Sequence, residues 1–267
     1  MKRLSLGVST AWLALVSAAC LAAPWLTAHD PIQPIAAPLR APSSHPPIGT
    51  DDLGRDEWTR MLFGGRVSLA ASLTAATLAV ALGTAAALLS QGLGGAADAT
   101  VAGGANAALA IPGLLVALAI VAVLGPGIET VVIAVGLGLA PGFARLARQA
   151  LIQVRAEPFV GAAAALGASE MTTAFRHLLP NALPRLLSLA TTHYAWAFAG
   201  ITTLTFLGLA EGPSTPEWGS MLNASRTYLG LAPWLALYPG GAIAATVLAV
   251  HGVGAWLARR ARGETSS

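Results

Sequence analysis

The sequence predicts an all-α integral membrane protein whose chain crosses the bilayer six times. Three observations carry this reading. Apolar residues make up 55% of the 267 and charged residues 10%, whereas an ordinary globular domain carries about 25% charged residues. Mean hydropathy is +0.67. Six stretches come close to the roughly 20 predominantly apolar residues that span a bilayer, and segments rich in Pro, Gly and charge separate them. Aromatics are only 6%, so the apolar bulk is aliphatic, and Gly 29 and Pro 17 are better tolerated in membrane helices than in soluble ones.

The first span is Leu4 to Leu26, free of charge and preceded by Lys2 and Arg3. Its apolar run exceeds the roughly 7–15 residues of a signal-peptide core, which favours an uncleaved anchor. Ser17 is a poor residue three before Cys20, which disfavours a lipoprotein site. Residues 1–28 therefore form the first membrane unit. Residues 29–66 cannot lie in hydrocarbon, because His29 to Arg66 holds six prolines and a run of carboxylates. Val67 to Leu89 is the second span and Gln91 to Asp98 a Gly-rich turn. Thr100 to Leu124 is the third, interrupted at Pro112-Gly113, and Gly125-Pro126-Gly127 turns the chain. Ile128 to about Arg148 is the fourth, with Pro141-Gly142 inside and Arg145 near water. Ala156 to Asn181 is a polar connector, Pro184 to Leu209 the fifth span, and Glu211 to Pro233 a loop rich in Pro, Gly and Trp. Trp234 to Leu257 is the sixth, closing a core at 67–258, and a tail at 259–267 carries Arg259, Arg260 and Arg262.

Six crossings put both ends on one side, and cytoplasmic connectors are enriched in Lys and Arg. Ten of the fifteen basic residues fall in the segments that share a side with the termini, including Arg145, Arg148, Arg155, Arg176 and Arg185. Both termini and the Ala156–Asn181 connector are therefore expected in the cytoplasm of a bacterial inner membrane. Composition also excludes functions. The single cysteine, Cys20, permits no internal disulfide, and the single lysine, Lys2, leaves no internal Lys for a phosphate-binding loop. The arginines form no nucleic-acid-binding stripe.

The connector carries the strongest signal. Pro158 suits the first helical position and Glu157 the positive end of the helix dipole. Phe159, Ala163 and Leu166 recur on one face, Gly167 ends the helix, and Ser169 caps a second helix running through Arg176. Pro180 and Pro184 are expected to stop the chain before the fifth span. On physics alone this is a short helix–turn–helix that joins two spans or presents a surface of small residues to another protein.

The residues Ala162-Ala163, Gly167 and Leu179-Pro180 resemble the EAA loop of ABC importer permeases. The stretch from Ala168-Ser169 through Phe175-Arg176-His177-Leu178-Leu179-Pro180-Asn181 is similar to the peptide/nickel branch of that family. So are His45 to Asp56 and the pair Pro216-Glu217-Trp218-Gly219 and Ala232-Pro233-Trp234. The resemblance covers most of residues 45–257. It implies the type I ABC importer permease fold and a pore made with a second permease chain. It further implies two ABC ATPases docked on the connector and an extracytoplasmic solute-binding protein. ATP and Mg would belong to the ATPases, and this chain would need no cofactor. The coupling residues would be Glu157, Phe159, Val160, Gly161, Ala162, Ala163, Leu166, Gly167 and Ala168. Gly161 departs from the motif, which has Glu there, and Glu157 one turn earlier offers a substitute carboxylate. Asp51, Asp52, Arg55, Glu217 and Trp218 would contact the binding protein.

Other residues have plainer readings. Asp51, Asp52, Asp56 and Glu57 put four carboxylates in seven residues, but their spacing does not match a calcium loop, so capping or solvation is expected. Arg55 to Arg66 can form an interfacial amphipathic helix whose arginines snorkel. His193 is expected to bond a neighbouring helix, and Gly83 with Ala87 to pack closely against one. A carrier driven by an ion gradient is the alternative function. It would need carboxylates within the spans, whereas Asp98 and Glu129 lie at span edges.

Overall fold

The computed structural model describes residues 2–210 and 215–261. Glu211, Arg262 and the remainder of the 259–267 tail lie outside the described residues. Helices account for nearly all regular structure: α1 (Lys2–Leu21), α2 (Ala23–Leu26), α3 (Glu57–Leu93), α4 (Gly95–Leu109), α5 (Gly113–Leu124), α6 (Ile128–Arg155), α7 (Pro158–Ala165), α8 (Glu170–Thr172), α9 (Leu179–Phe206), α10 (Trp218–Ser225) and α11 (Trp234–Ala261). A π-helical segment, Thr173–Leu178, joins α8 to α9, and a short 3₁₀ turn, Arg226–Tyr228, follows α10.

Each expected span appears as helix. By length and composition, α3, α6 and α11 can cross a membrane alone, and α4 with α5 makes up to a fourth crossing. The described part of α1, Leu6–Leu21, is a shorter apolar helix. In α9 threonines and a histidine dilute the apolar character, but three of the hydroxyls are satisfied locally. Thr191, Thr202 and Thr205 donate their hydroxyls to carbonyls one turn back.

The third span bends by 87° between α4 and α5. It is a broken span rather than a re-entrant loop, because it climbs the length of α6 in the opposite direction. Asp98 at its start binds Arg148, Leu109 lies beside Gly142 and Gly113 beside Gly138. The chain then turns at Gly125–Gly127 into the start of α6. That turn is tied down by the Gly127 N–H, which donates to the Leu209 carbonyl.

Two expectations are corrected. The amphipathic segment leads without a break into the second span, since α3 runs for 37 residues, about 55 Å against a hydrocarbon core of about 30 Å, but Arg60 does not snorkel. The surplus lies before Val67; it carries Arg60 inward and leaves Arg66 exposed. Arg60 donates to the Pro31 carbonyl at 2.9 Å and pairs with Asp51 at 3.2 Å. A carboxylate held nearby makes a charge-assisted bond that outcompetes snorkelling. Nor do Pro180 and Pro184 stop the chain, because helical structure is continuous from Glu170 to Phe206. The wide π turn just before Pro180 relieves the clash a proline ring makes with the preceding turn. Asn181 Nδ2 also donates to the His177 carbonyl at 2.7 Å.

The core is built on close contact between α3 and α6. A Cβ added to Gly83 would lie 2.7 Å from the Ala144 amide nitrogen, so the two backbones meet there. Ala87, Phe143, Ala147 and Leu151 continue this seam toward α7, while Ala75, Val131, Ala134 and Ile201 form the seam of α3, α6 and α9 at the other end. His193 is buried, bonds the Leu189 carbonyl of its own helix rather than a neighbour, and sits edge-on to Phe143. α1 packs on α3 and α11, with Cys20 against Gly65 and Ser9 against Gly252. The N-terminus, the C-terminal end of α11 and the α7 loop consequently share one end of the bundle. The segments 29–56 and 215–233 share the other.

Candidate functional site

The loop between α6 and α9 follows from local chemistry. Glu157 is extended and opens α7, with Pro158 in the first turn. Gly167 adopts φ +89°, a conformation costing an L-residue roughly 1–2 kcal/mol. Its N–H reaches Ala164 O, and that of Ala168 reaches Ala163 O, which makes a Schellman end. The Ser169 hydroxyl then accepts the Thr172 N–H at 3.2 Å. An Arg155–Glu170 ion pair closes the loop across its base, and Arg185 donates to Gln153 beside it.

This frame sorts the expected coupling residues. Val160 is 4% exposed and packs with Leu151, Ala174 and Leu178, so it anchors α7 and is unavailable to a partner. That corrects its place in the contact set. Phe159 and Leu166 are 43% and 90% exposed. Glu157, Ala162 and Gly167 are also exposed, while Ala163 and Ala168 are half-buried. Gly161 is exposed, with nothing within 4 Å of an added Cβ, so a side chain fits there without rearrangement. Leu166 lies just past the helix end. The outward surface is therefore a helix face plus a turn, with Phe159 and Leu166 as its apolar points.

An adjacent cluster was not foreseen. Arg148 donates from Nε and Nη2 to the two carboxylate oxygens of Asp98 at 2.6 and 2.5 Å, and Ser90 Oγ donates to Asp98 at 2.6 Å. One carboxylate thus joins α3, α4 and α6 directly above the loop. The one signal in the sequence was a lone Asp at a span edge.

At the opposite end, the residues expected to meet a binding protein mostly turn inward. Asp51, Arg55, Glu217 and Trp218 are buried, and only Asp52 is part-exposed. Arg55 Nε donates to Asp51 at 2.6 Å. Glu217 caps α10 by accepting the Ser220 N–H at 2.9 Å and accepts from Ser68 Oγ at 2.7 Å. Trp218 Nε1 donates to the Met61 carbonyl at 2.9 Å. These groups lock the outer segments to α3, and their burial removes the four from direct contact with a partner. The capping expectation holds for Asp56, whose carboxylate accepts from the Thr59 N–H at 3.3 Å. Among the described residues no group of three or more His, Cys, Asp or Glu could hold a metal.

Glu57 is buried in this platform, outside the hydrocarbon span. Burial pushes its carboxyl up to about 8; Asp51 and Asp56 push the same way, and Arg60 and Arg55 oppose. The folded platform therefore holds a proton that the unfolded chain releases above its ordinary value of 4.5. Stability is fullest below that value and falls as pH rises toward about 8. Thermal unfolding of the purified protein should shift down across this window, and Glu57→Gln should remove most of the slope. An unchanged slope would refute the assignment.

Residues 72–263 match the family described as binding-protein-dependent transport system inner membrane component. The glutathione transport system permease protein GsiD of Shigella flexneri serotype 5b (strain 8401) is 43% identical over 207 residues, 78% of this chain and 68% of the relative. The dipeptide transport system permease protein DppC of Alkalihalophilus pseudofirmus is 38% identical over 216 residues, 81% and 71%. GsiD of Salmonella paratyphi A is 41% identical over 244 residues, 91% and 80%. Among solved structures, an inward-facing MetNI methionine ABC transporter chain superposes with TM-score 0.60 at 18% identity, covering 78% of this chain and 97% of that one. The fold is accordingly that of a type I ABC importer permease. Permeases of this family assemble with a further permease, ATPases and a binding protein, and ATP hydrolysis resides on the separate ATPase. With its matched core and its relatives in agreement, this chain belongs to the binding-protein-dependent transport system inner membrane components, as a multi-pass permease subunit of an ABC importer and not an enzyme.

Proposed function

We propose that the chain forms half of a translocation pore for peptides or a peptide-like solute such as glutathione, and that a separate ATPase drives it through the 156–181 loop. The relatives named for glutathione and dipeptides favour this cargo over nickel. The loop end, which gathers both termini and most of the basic residues, faces the cytoplasm by the positive-inside rule. The platform end faces the binding protein. Asp52, the part-exposed member of the expected contact set, is its point of approach there.

The observation that carries the coupling role is the combination of exposed Phe159 and Leu166 with buried Val160. An apolar pair stands in solvent on a helix pinned from beneath, and the loop's base is tied to α6. Nucleotide-driven closure of the ATPases would move α7 and α6 together. Such a push shifts the permease between inward-open and outward-open states only because the ATPase binds the two states differently. A carrier driven by an ion gradient would need a carboxylate along its path, whereas Asp98 is held by Arg148 and Glu129 lies in the first turn of α6, at the edge of its span.

Cross-linking tests this reading. In a Cys20→Ala background, Leu166→Cys should cross-link to the co-expressed ATPase in a nucleotide-sensitive way, and Val160→Cys should not. Leu166→Ser should weaken ATPase association by about tenfold, the effect of losing one interface anchor. Absence of any Leu166→Cys cross-link in an assembled complex would refute the docking role.

A further inference from the structure

The break between α4 and α5 lies at mid-depth in the bundle. Gly113 and Leu109 face Gly138 and Gly142, which sit near the middle of α6 (Ile128–Arg155). At this level the backbone leaves its ladder. The last bonds before the break run from Ala110 N–H to Ala107 O and from Ile111 N–H to Ala108 O. The first after it run from the Leu115 and Val116 N–H groups to Pro112 O. The carbonyls of Leu109, Ala110 and Ile111 and the amides of Gly113 and Leu114 find no partner among the described residues. Leu109 through Gly113 are all exposed, and so is Asn106, one turn earlier, whose side-chain amide makes no hydrogen bond among the described residues.

Hydrocarbon cannot surround such a surface. Each unsatisfied backbone group in lipid costs several kcal/mol, so broken backbone at membrane depth survives only against protein or water. Close packing on a second permease would suit the small residues Gly103 and Ala107. It would still have to supply partners for five backbone groups and an amide across one short segment. Water supplies them without further conditions. We propose that the α4–α5 break, with Asn106, lines the aqueous pathway through which the solute crosses. Its bare carbonyls and amides would then offer a peptide-like solute the bonding partners of a peptide backbone. This rests on the permease assignment but not on the docking role of α7.

The test uses the complete complex in vesicles, carrying Cys20→Ala and either Asn106→Cys or Ala110→Cys. Cross-linking at Leu166→Cys in parallel samples reports docking separately. A hydrophilic, membrane-impermeant maleimide should label both positions at least about tenfold faster than Leu248→Cys, a leucine exposed along α11, given the scarcity of water in hydrocarbon. Labelling in the isolated chain that disappears in the assembled complex would show that the partner subunit covers the break and would overturn the proposal. Labelling no faster than at Leu248→Cys would overturn it equally.

Discussion

Replacing Trp218 with alanine should cost about 3–5 kcal/mol, the range for removing a large aromatic from a packed site. The ring is 1% exposed and is held from several sides. Phe198 meets it edge-on at 6.1 Å, Met61 takes its indole N–H, and Cys20 and Met221 share its cluster. Its own backbone N–H donates to Ser68 Oγ at 3.0 Å. Trp218 thereby ties α1, α3, α9 and α10 together at the platform end. Thermal denaturation in detergent should show a large downward shift for Trp218→Ala. Trp218→Phe, which keeps most of the ring volume and loses the indole bond, should cost only about 1 kcal/mol. Equal shifts for the two variants would mean that the hydrogen bond, rather than the packing, dominates.

Gly83→Val should do comparable damage by the opposite route. An added Cβ would stand 2.7 Å from Ala144 N, 2.9 Å from Phe143 Cβ and 3.0 Å from Ala140 O. Two of those three atoms are backbone, so no rotamer change relieves the contact and α3 must part from α6. Overpacking ordinarily costs about 1–3 kcal/mol. Here the cost should exceed that, because in lipid no hydrophobic force draws separated helices back and close packing is the main attraction. Yield of monodisperse protein on size-exclusion chromatography should collapse for Gly83→Val and remain normal for Gly161→Val, which meets nothing within 4 Å. A well-behaved Gly83→Val protein would refute the tight α3–α6 crossing.

What the sequence made legible was local. Pro158, Gly167 and Ser169 announce a helix start, a helix end and a cap within a dozen residues, and all three stand where those signals place them. The direction of α7 was not local. In eight residues the apolar periodicity cannot say which face meets Leu151 and Leu178, so Val160 was grouped with the outward residues. The same holds for Arg60, before the second span. Snorkelling or burial depends on whether a carboxylate waits nearby, and Asp51 reaches Arg60 only because the chain turns back at Gly54, with φ +76°. Asp98 and Arg148 are fifty residues apart, and no spacing rule links them. Pro180 and Pro184 do not end their helix, because a membrane helix can run through a proline when packing holds it; α6 and α11 do the same at Pro141 and Pro239, and at Pro180 the wide π turn gives the ring additional room.

The π segment at Thr173–Leu178 carries slack that an ordinary helix lacks. A π turn holds about one residue more than an α turn, so removing one residue there would tighten it into ordinary helix and leave Phe198 and Ile201 on their seams. Each residue in an α-helix advances the azimuth by about 100°. The same deletion between Pro184 and Phe198, where no wide turn takes it up, would rotate the rest of α9 by that angle and carry those side chains away from their partners.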